Sequence, residues 1–282
     1  MFHYMTVANM NYDIIHNLLP KIPKVELVVA IPRDGILAGI LVSLYRNIPF
    51  CTIDEFCDGK MSLPGIKHRK AKDFNTNLNN VLIIDDMCAT GRGMKDAKER
   101  LAALDYRVNY IFAVVYAFKS EEKMSLGMID AYGKEISSPL HYEWTFGDNV
   151  YLTKYIMDID GILCDDCPRE DDDDGERYLN FLQNAKLKLR PVEIGTLITW
   201  RDEKYREQTE EWLNRHDIKF QKLVMADRSK WANAIQFKAD YYKNNPGRIF
   251  LESSSHIARK INEIVGKPVI GLDTNELFDK ED

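Results

Sequence analysis

The 282-residue chain has no uninterrupted apolar run approaching the roughly eighteen residues that a membrane-crossing helix needs. Its first residues, MFHYMTVANM, lack the basic start and apolar stretch of a secretory leader. These two absences predict a cytoplasmic protein with no membrane partner. Cysteine is scarce and odd in number: Cys51, Cys57, Cys88, Cys164 and Cys167 are scattered over a long chain, which speaks against a disulfide framework and predicts reduced thiols. Cys164 and Cys167 form a C-x-x-C with no second pair to complete a zinc site. Positive charge is not in excess either. Lys and Arg number 38 against 44 Asp and Glu, a formal net charge of −6, which disfavours a nucleic-acid backbone as the main partner and suits small anionic ligands held at specific sites. No repeat of fixed period occurs, and the one low-complexity patch, 170-EDDDDGE-176, reads as a solvated acidic loop capping the next helix.

What is present is a chain long enough for two domains, with a hydrophobic content of 45%. Apolar strand-like runs alternate with helical patterns: VELVVAI (25–31) then GILAGILVSLYR (35–46), VLIID (81–85) then GMKDAKERLAAL (93–104), and NYIFAVVYAF (109–118). Such alternation marks parallel βαβ units. The polar stretch 147-GDNVYLTK-154 then precedes a fresh apolar strand, YIMDIDGIL, so the expected domains are 1–148 and 149–282. The second half continues with helices expected over 176–186, 202–216, 229–238 and 254–265, between strands at 193–200, 222–225, 248–253 and 268–272. The fold class expected is α/β, with two doubly wound parallel-sheet domains. Segment 58–80 has no period of either kind and reads as a long loop, a common form for an active-site lid.

Two constellations carry chemistry. In 81-VLIIDDMCATGRGM-94, neighbouring strand residues face opposite ways, so Asp85 and Asp86 cannot both enter a core and are expected at the strand's carboxyl end. That edge is where open α/β sheets bind ligands, and the following loop leads into a helix whose free amides favour a phosphate. Carboxylates for hydroxyls beside amides for a phosphate suit a phosphorylated sugar. The plain alternative is a strand–turn–helix with Asp86 as N-cap.

VLIIDDMCATGRG (81–93) resembles the phosphoribosyl-pyrophosphate signature of type I phosphoribosyltransferases. The resemblance implies that Asp85 and Asp86 hold the ribose hydroxyls, directly and through Mg²⁺, and that the loop Ala89, Thr90, Gly91 to Gly93 holds the 5-phosphate. Ala89 stands where the family often has Thr. The stretch 30-AIPRDGILAG-39 is similar to the family's pyrophosphate loop, with Arg33, Asp34 and Gly35. Lys67, His68, Arg69 and Lys70 resemble the flexible loop that closes over the transition state, with Arg69 as its cation. Lys119 and Trp144 resemble the base-binding Lys and the aromatic hood of the 6-oxopurine branch.

In YIMDIDGIL, Asp158 and Asp160 are two apart and face one side at a strand end. One carboxylate can attack phosphorus while the other protonates the leaving oxygen. The stretch resembles the first motif, D-x-D-G-x-L, of the haloacid dehalogenase superfamily. That implies Asp158 as nucleophile, Asp160 as general acid/base, Thr199 as phosphate-holding hydroxyl and Lys238 as the cation of the pentavalent state. The fourth motif departs from pattern: 252-ESSSH-256 keeps Glu252 and has Ser253 where an Asp is usual, so Mg²⁺ would rest on Asp158, Asp160 and Glu252. About 40 residues separate Asp158 from Thr199, and about 40 more reach Lys238, which leaves no room for a large cap domain.

The expected protein is therefore a bifunctional enzyme: a type I phosphoribosyltransferase fold followed by a capless dehalogenase-like phosphatase. Its expected partners are phosphoribosyl pyrophosphate and a heterocyclic, purine-like base, with Mg²⁺ as cofactor, and a homo-oligomer is compatible with this. The alternatives are a regulator that binds phosphoribosyl pyrophosphate or a nucleotide without turnover, and a phosphatase for nucleic-acid ends.

Overall fold

The structure, a computed structural model, describes residues 2–59, 78–118 and 126–280. It divides into two units, one of residues 5–140 and one of residues 1–4 with 141–282. The elements of the first stretch are β1 (His3–Met5), α1 (Val7–Asp13), β2 (Leu27–Ala30), α2 (Gly35–Arg46), β3 (Phe50–Thr52), α3 (Ile53–Cys57), β4 (Asn80–Cys88), α4 (Arg92–Ala102), β5 (Asn109–Phe118), β6 (Ala131–Ile136) and β7 (Leu140–Tyr142). Then come β8 (Ile156–Asp158), α5 (Glu176–Asn184), β9 (Glu193–Asp202), α6 (Arg206–Arg215), β10 (Lys219–Ala226), α7 (Ala234–Asn244), β11 (Phe250–Glu252), α8 (Ser255–Val265), β12 (Val269–Gly271) and β13 (Glu276–Phe278). None of the described helices is long and apolar enough to cross a membrane.

Each unit is α/β and built on its own sheet. The first has the strand order β3-β2-β4-β5-β6, all parallel. Its central strands are covered on both faces: Leu27–Ala30, Val81–Ile84 and Ile111–Ala117 are buried throughout, which is why they read as continuous apolar runs. The second sheet has the order β10-β9-β8-β11-β12-β13. It is parallel except for its edge strand β13, which pairs antiparallel to β12. Met157, Leu197, Trp212, Leu251 and Ile270 form its main core, and Trp212 is seated by a bond from Nε1 to the Ala185 carbonyl (2.8 Å).

The two orders share one feature. From β2 the chain moves outward to β3 and returns on the other side as β4; from β8 it moves outward to β9 and β10 and returns as β11. The order thus reverses between β2 and β4 in one unit and between β8 and β11 in the other. A crevice opens at the carboxyl ends of strands at such reversals, because the helices that follow leave in opposite directions.

Several boundaries differ from those the sequence predicts. The division falls at 140/141 rather than 148/149. Buried His141 gathers Tyr4, Phe146 and Tyr155 around it at centroid distances of 5.9, 5.4 and 5.5 Å, and this aromatic cluster draws residues 141–146 and the N-terminal strand into the second unit. Burial lowers the His141 ring to a pKa of about 4, so it packs as a neutral ring. The helix expected over 229–238 lies at Ala234–Asn244. Asp227 instead folds its side chain onto the Ser229 amide in a tight turn, and Asn233 caps the helix at the Gln236 amide.

Candidate active sites

In the first unit, β4 runs on past the acidic pair. Its pairing with β2 stops at Ile84, opposite Ala30, whereas its pairing with β5 continues to Cys88. Asp85 to Cys88 therefore line the open side of the reversal point while still held straight by β5. The acids lie in the carboxyl-terminal half of the strand, which runs on to Cys88: Asp86 is 6% exposed and Asp85 half-buried on the opposite face. Asp86 is also not the helix cap; that position is Gly91, in the left-handed conformation at φ +74°, a backbone shape that favours glycine.

Asp85 sits where two helices begin. A Cβ on Gly35, the first residue of α2, would lie 2.8 Å from Asp85 Oδ1 and 2.9 Å from its Cα; one on Gly93, at the start of α4, would lie 3.7 Å from Oδ2. Only glycine at 35 permits that approach. Burial and the neighbouring Asp86 carboxylate push Asp85 up to about 8. The loop Ala89, Thr90, Gly91 and Gly93 lines a cavity of about 190 Å³ together with Asp85 and Cys88. In the preceding loop, Arg33 reaches out to solvent and pairs through Nε with Asp34 Oδ1 (2.8 Å). The structure thus gathers Asp85, Gly35 and the 89–93 loop, with Arg33 and Asp34 on the turn that enters α2. Lys67, His68, Arg69, Lys70 and Lys119 lie outside the described residues, as does most of the segment predicted as a lid. Trp144 falls in the second unit, where its ring packs on Tyr142 (centroids 4.7 Å).

In the second unit, β8 ends at Asp158 and β11 at Glu252, the two strands that flank the reversal. Lys238, projecting from α7, donates to Asp158 Oδ2 (2.7 Å) and to Glu252 Oε2 (2.8 Å), all three buried. Asp160 follows in a tight turn closed by the Gly161 amide on the Cys164 carbonyl (2.9 Å). Thr199, buried near the end of β9, donates its hydroxyl to Asp160 Oδ2 (3.1 Å). Asp158, Asp160, Thr199, Lys238 and Glu252, scattered over almost a hundred positions of sequence, meet around one pocket of about 240 Å³ or on the groups that line it.

Three participants were not singled out from sequence. Arg201 is 1% exposed and clamps Asp160, with Nη2 to Oδ1 at 2.6 Å and Nε to Oδ2 at 3.0 Å. The signal was its spacing: Thr199 and Arg201, two apart on a strand, share a face. Asp166 lines the same pocket from the loop after Asp160. A Cβ on Gly161, at φ +80°, would lie 2.5 Å from Ser253 Cβ and 3.0 Å from Asp166 Oδ2, so this aspartate stands beside the residue that replaces the expected motif-four acid. Arg228, in the turn after β10, completes the set. The acidic patch is largely exposed and caps α5, as the sequence predicts. Asp173 accepts from the Gly175 and Tyr178 amides at the start of α5, Asp174 pairs with Lys204, and Asp172 faces the pocket.

The surroundings drive the two aspartates apart. Burial, then Glu252, push Asp158 well above the usual carboxylate range against the pull of Lys238. Burial would raise Asp160 too, but the Arg201 guanidinium and the bonds from Arg201 and Thr199 overcome it and hold Asp160 below that range. Asp166 is raised by burial and by Asp160. The carboxylates of Asp158, Asp160, Asp166, Asp172 and Glu252 are hard donors of the kind that suit a divalent cation such as Mg²⁺, and the crowding that raises Asp158 is what added positive charge would relieve. Among the described residues, however, no three acids, His or Cys stand preassembled around one ion position.

No protein-family model matches the chain. No curated protein matches it in sequence. Among solved structures, it is similar to the Helicobacter pylori xanthine-guanine-hypoxanthine phosphoribosyltransferase, at 17% identity over 51% of this chain and 92% of that one, with a TM-score of 0.37. A hypothetical protein from Neisseria gonorrhoeae with bound ppGpp gives 17% identity, 53% and 92% coverage and 0.36. A Pnkp1/Rnl/Hen1 complex gives 14% identity, 89% and 97% coverage and 0.33.

Proposed function

We propose that the chain is a two-site enzyme of nucleotide chemistry. The first unit transfers a phosphoribosyl group from phosphoribosyl pyrophosphate to a heterocyclic, purine-like base, releasing pyrophosphate. The second hydrolyses a phosphomonoester. What supports this is that each unit places an acidic pair at its own strand-order reversal, beside the start of a helix or a buried lysine.

In the transferase, Asp85 and Asp86 hold the ribose hydroxyls, the amides of the 89–93 loop hold the 5-phosphate, and the Arg33–Asp34–Gly35 turn faces the pyrophosphate. A ring nitrogen of the base attacks C1 of the sugar as the C1–O bond to pyrophosphate breaks. Arg69 and Lys119 are assigned to neutralising the leaving group and to the base by the sequence resemblance. The protein positions and neutralises, which is where most of such a rate enhancement arises.

In the phosphatase, Asp158 attacks phosphorus, the ester P–O bond breaks, and Asp160 gives its proton to the leaving oxygen. Water, giving a proton back to Asp160, then hydrolyses the aspartyl phosphate. Lys238 neutralises the pentavalent state. Mg²⁺, when bound, supplies charge that lowers Asp158 and polarises the phosphoryl oxygens; Asp158, Glu252, the Asp160 backbone and Asp166 are the groups that would hold it. Asp160 must carry a proton to act as acid, and the dianionic substrate beside it opposes the pull of Arg201 in that direction.

Incubating the protein with phosphoribosyl pyrophosphate, Mg²⁺ and a panel of bases, while following pyrophosphate, nucleotide and free phosphate, tests both halves. The expected result is pyrophosphate release dependent on one class of base, and phosphate release from a monoester. Binding of phosphoribosyl pyrophosphate without release from any base would replace the transferase by a binding regulator.

A further inference from the structure

Among the described residues, three cations line the second unit's pocket, and two of them already pair with its carboxylates. Lys238 is shared by Asp158 and Glu252, and Arg201 is buried against Asp160. Arg228 is different. Its Nε donates to the Trp200 carbonyl (2.9 Å), and its guanidinium carbon lies 5.5 Å from the centroid of the Trp200 indole. Among the described residues, no carboxylate lies within ion-pair distance of it and neither Nη has a hydrogen-bond partner. With Nε tied and the guanidinium over the Trp200 ring, what remains is a pair of adjacent donors, the fork that matches two oxygens of a phosphate. The need for such a cation is electrostatic. Asp158, Asp160, Asp166, Asp172 and Glu252 outnumber the three cations of the pocket, so a phosphate dianion enters against repulsion that an uncommitted positive charge offsets.

We propose that Arg228, steadied by Trp200, grips the phosphoryl oxygens of the substrate at this site. The proposal rests on the phosphatase assignment above and adds to it a residue that no resemblance supplied. It makes Arg228 a binding group for the reacting phosphate itself, so its effect is independent of the leaving group.

Calorimetric binding of inorganic phosphate to the full chain, with hydrolysis of p-nitrophenyl phosphate and adenosine monophosphate, tests it on wild type, Arg228→Ala and Arg228→Lys. Loss of one charged bidentate contact predicts phosphate affinity weakened roughly 10- to 100-fold in Arg228→Ala and kcat/KM reduced by a similar factor for both esters, with partial recovery in Arg228→Lys. Trp200→Phe, which keeps a ring face, is expected to lose less. Wild-type affinity and rates in Arg228→Ala would overturn the proposal, as would a loss confined to adenosine monophosphate, which would place Arg228 on the leaving group. Should Arg228→Ala not fold, unchanged phosphate affinity in Arg228→Lys overturns it. A wild type that cleaves neither ester removes the phosphatase assignment, while the phosphate affinities still decide whether Arg228 holds the anion.

Discussion

Asp158 and Asp160 stand two positions apart on the same turn of chain, yet their neighbours treat them in opposite ways: one is crowded by Glu252, the other clamped by Arg201. Removing the clamp leaves Asp160 charged and uncompensated. Arg201→Met is expected to cost about 3 kcal/mol at pH 7, read by urea unfolding. Since Asp160 has a depressed folded pKa, the wild-type contribution is present above its unfolded value and fades only as pH falls through the folded one. In the variant the lone carboxyl takes up a proton at higher pH, so the gap to wild type should narrow at pH 5. An equal gap at both pH values would mean that Arg201 acts by packing alone. Asp85 has the reverse sign. Held up to about 8 by burial and by Asp86, it keeps its proton at neutral pH. Its folded pKa exceeds the unfolded one, so the stability it contributes at low pH is lost as pH rises through about 8. On the proposed function, a magnesium–phosphoribosyl pyrophosphate complex displaces that proton, and its affinity should climb up to about tenfold per pH unit from 6 to 8, then level. A flat titration curve would remove Asp85 from the site.

At the level of elements, α2 begins against β4 because residue 35 has no side chain. Gly35→Ala brings a Cβ to 2.8 Å from Asp85 Oδ1 with backbone at 2.9 and 3.0 Å, and backbone cannot swing aside. A destabilisation of about 1–3 kcal/mol is expected, with loss of phosphoribosyl pyrophosphate binding and no change in phosphatase rate. Long buried strands and the helices beside them were legible: GILAGILVSLYR forms α2 over the predicted residues, and NYIFAVVYAF forms β5. Short strands were legible only inside longer apolar runs, as for β8, β11 and β12. β1, β3, β7 and β13 have three residues each, too few to show a period, and they exist through their partners. The site divides the same way. Asp158, Thr199, Lys238 and Glu252 announced themselves as strand-end or motif residues, whereas Asp166 and Arg228 sit on turns whose path depends on packing far away in sequence. The direction of each carboxylate's pKa was likewise unreadable, because it depends on Arg201 and Glu252, which approach through the fold.

For the whole chain, the N-terminal residues belong to the later unit. Phe2 is 3% exposed among Leu152, Tyr155 and Ile270, its amide bonds Asp279 Oδ2 (3.1 Å), and the Tyr4 hydroxyl bonds Asn275 Oδ1 (3.1 Å). Phe2→Ala should therefore cost about 3 kcal/mol in the second unit, visible as earlier thermal loss of the ester hydrolysis proposed for it, while the phosphoribosyl pyrophosphate binding proposed for the first unit keeps its midpoint. Loss of both at once would contradict the division. The central claim is that each strand-order reversal houses its own active site. The most direct test measures both reactions in Asp85→Asn and Asp158→Asn of the full chain. The account predicts a crossed pattern, with Asp85→Asn losing pyrophosphate release at least about 100-fold but keeping ester hydrolysis, and Asp158→Asn doing the opposite. Either reaction surviving the substitution in its own unit would contradict it.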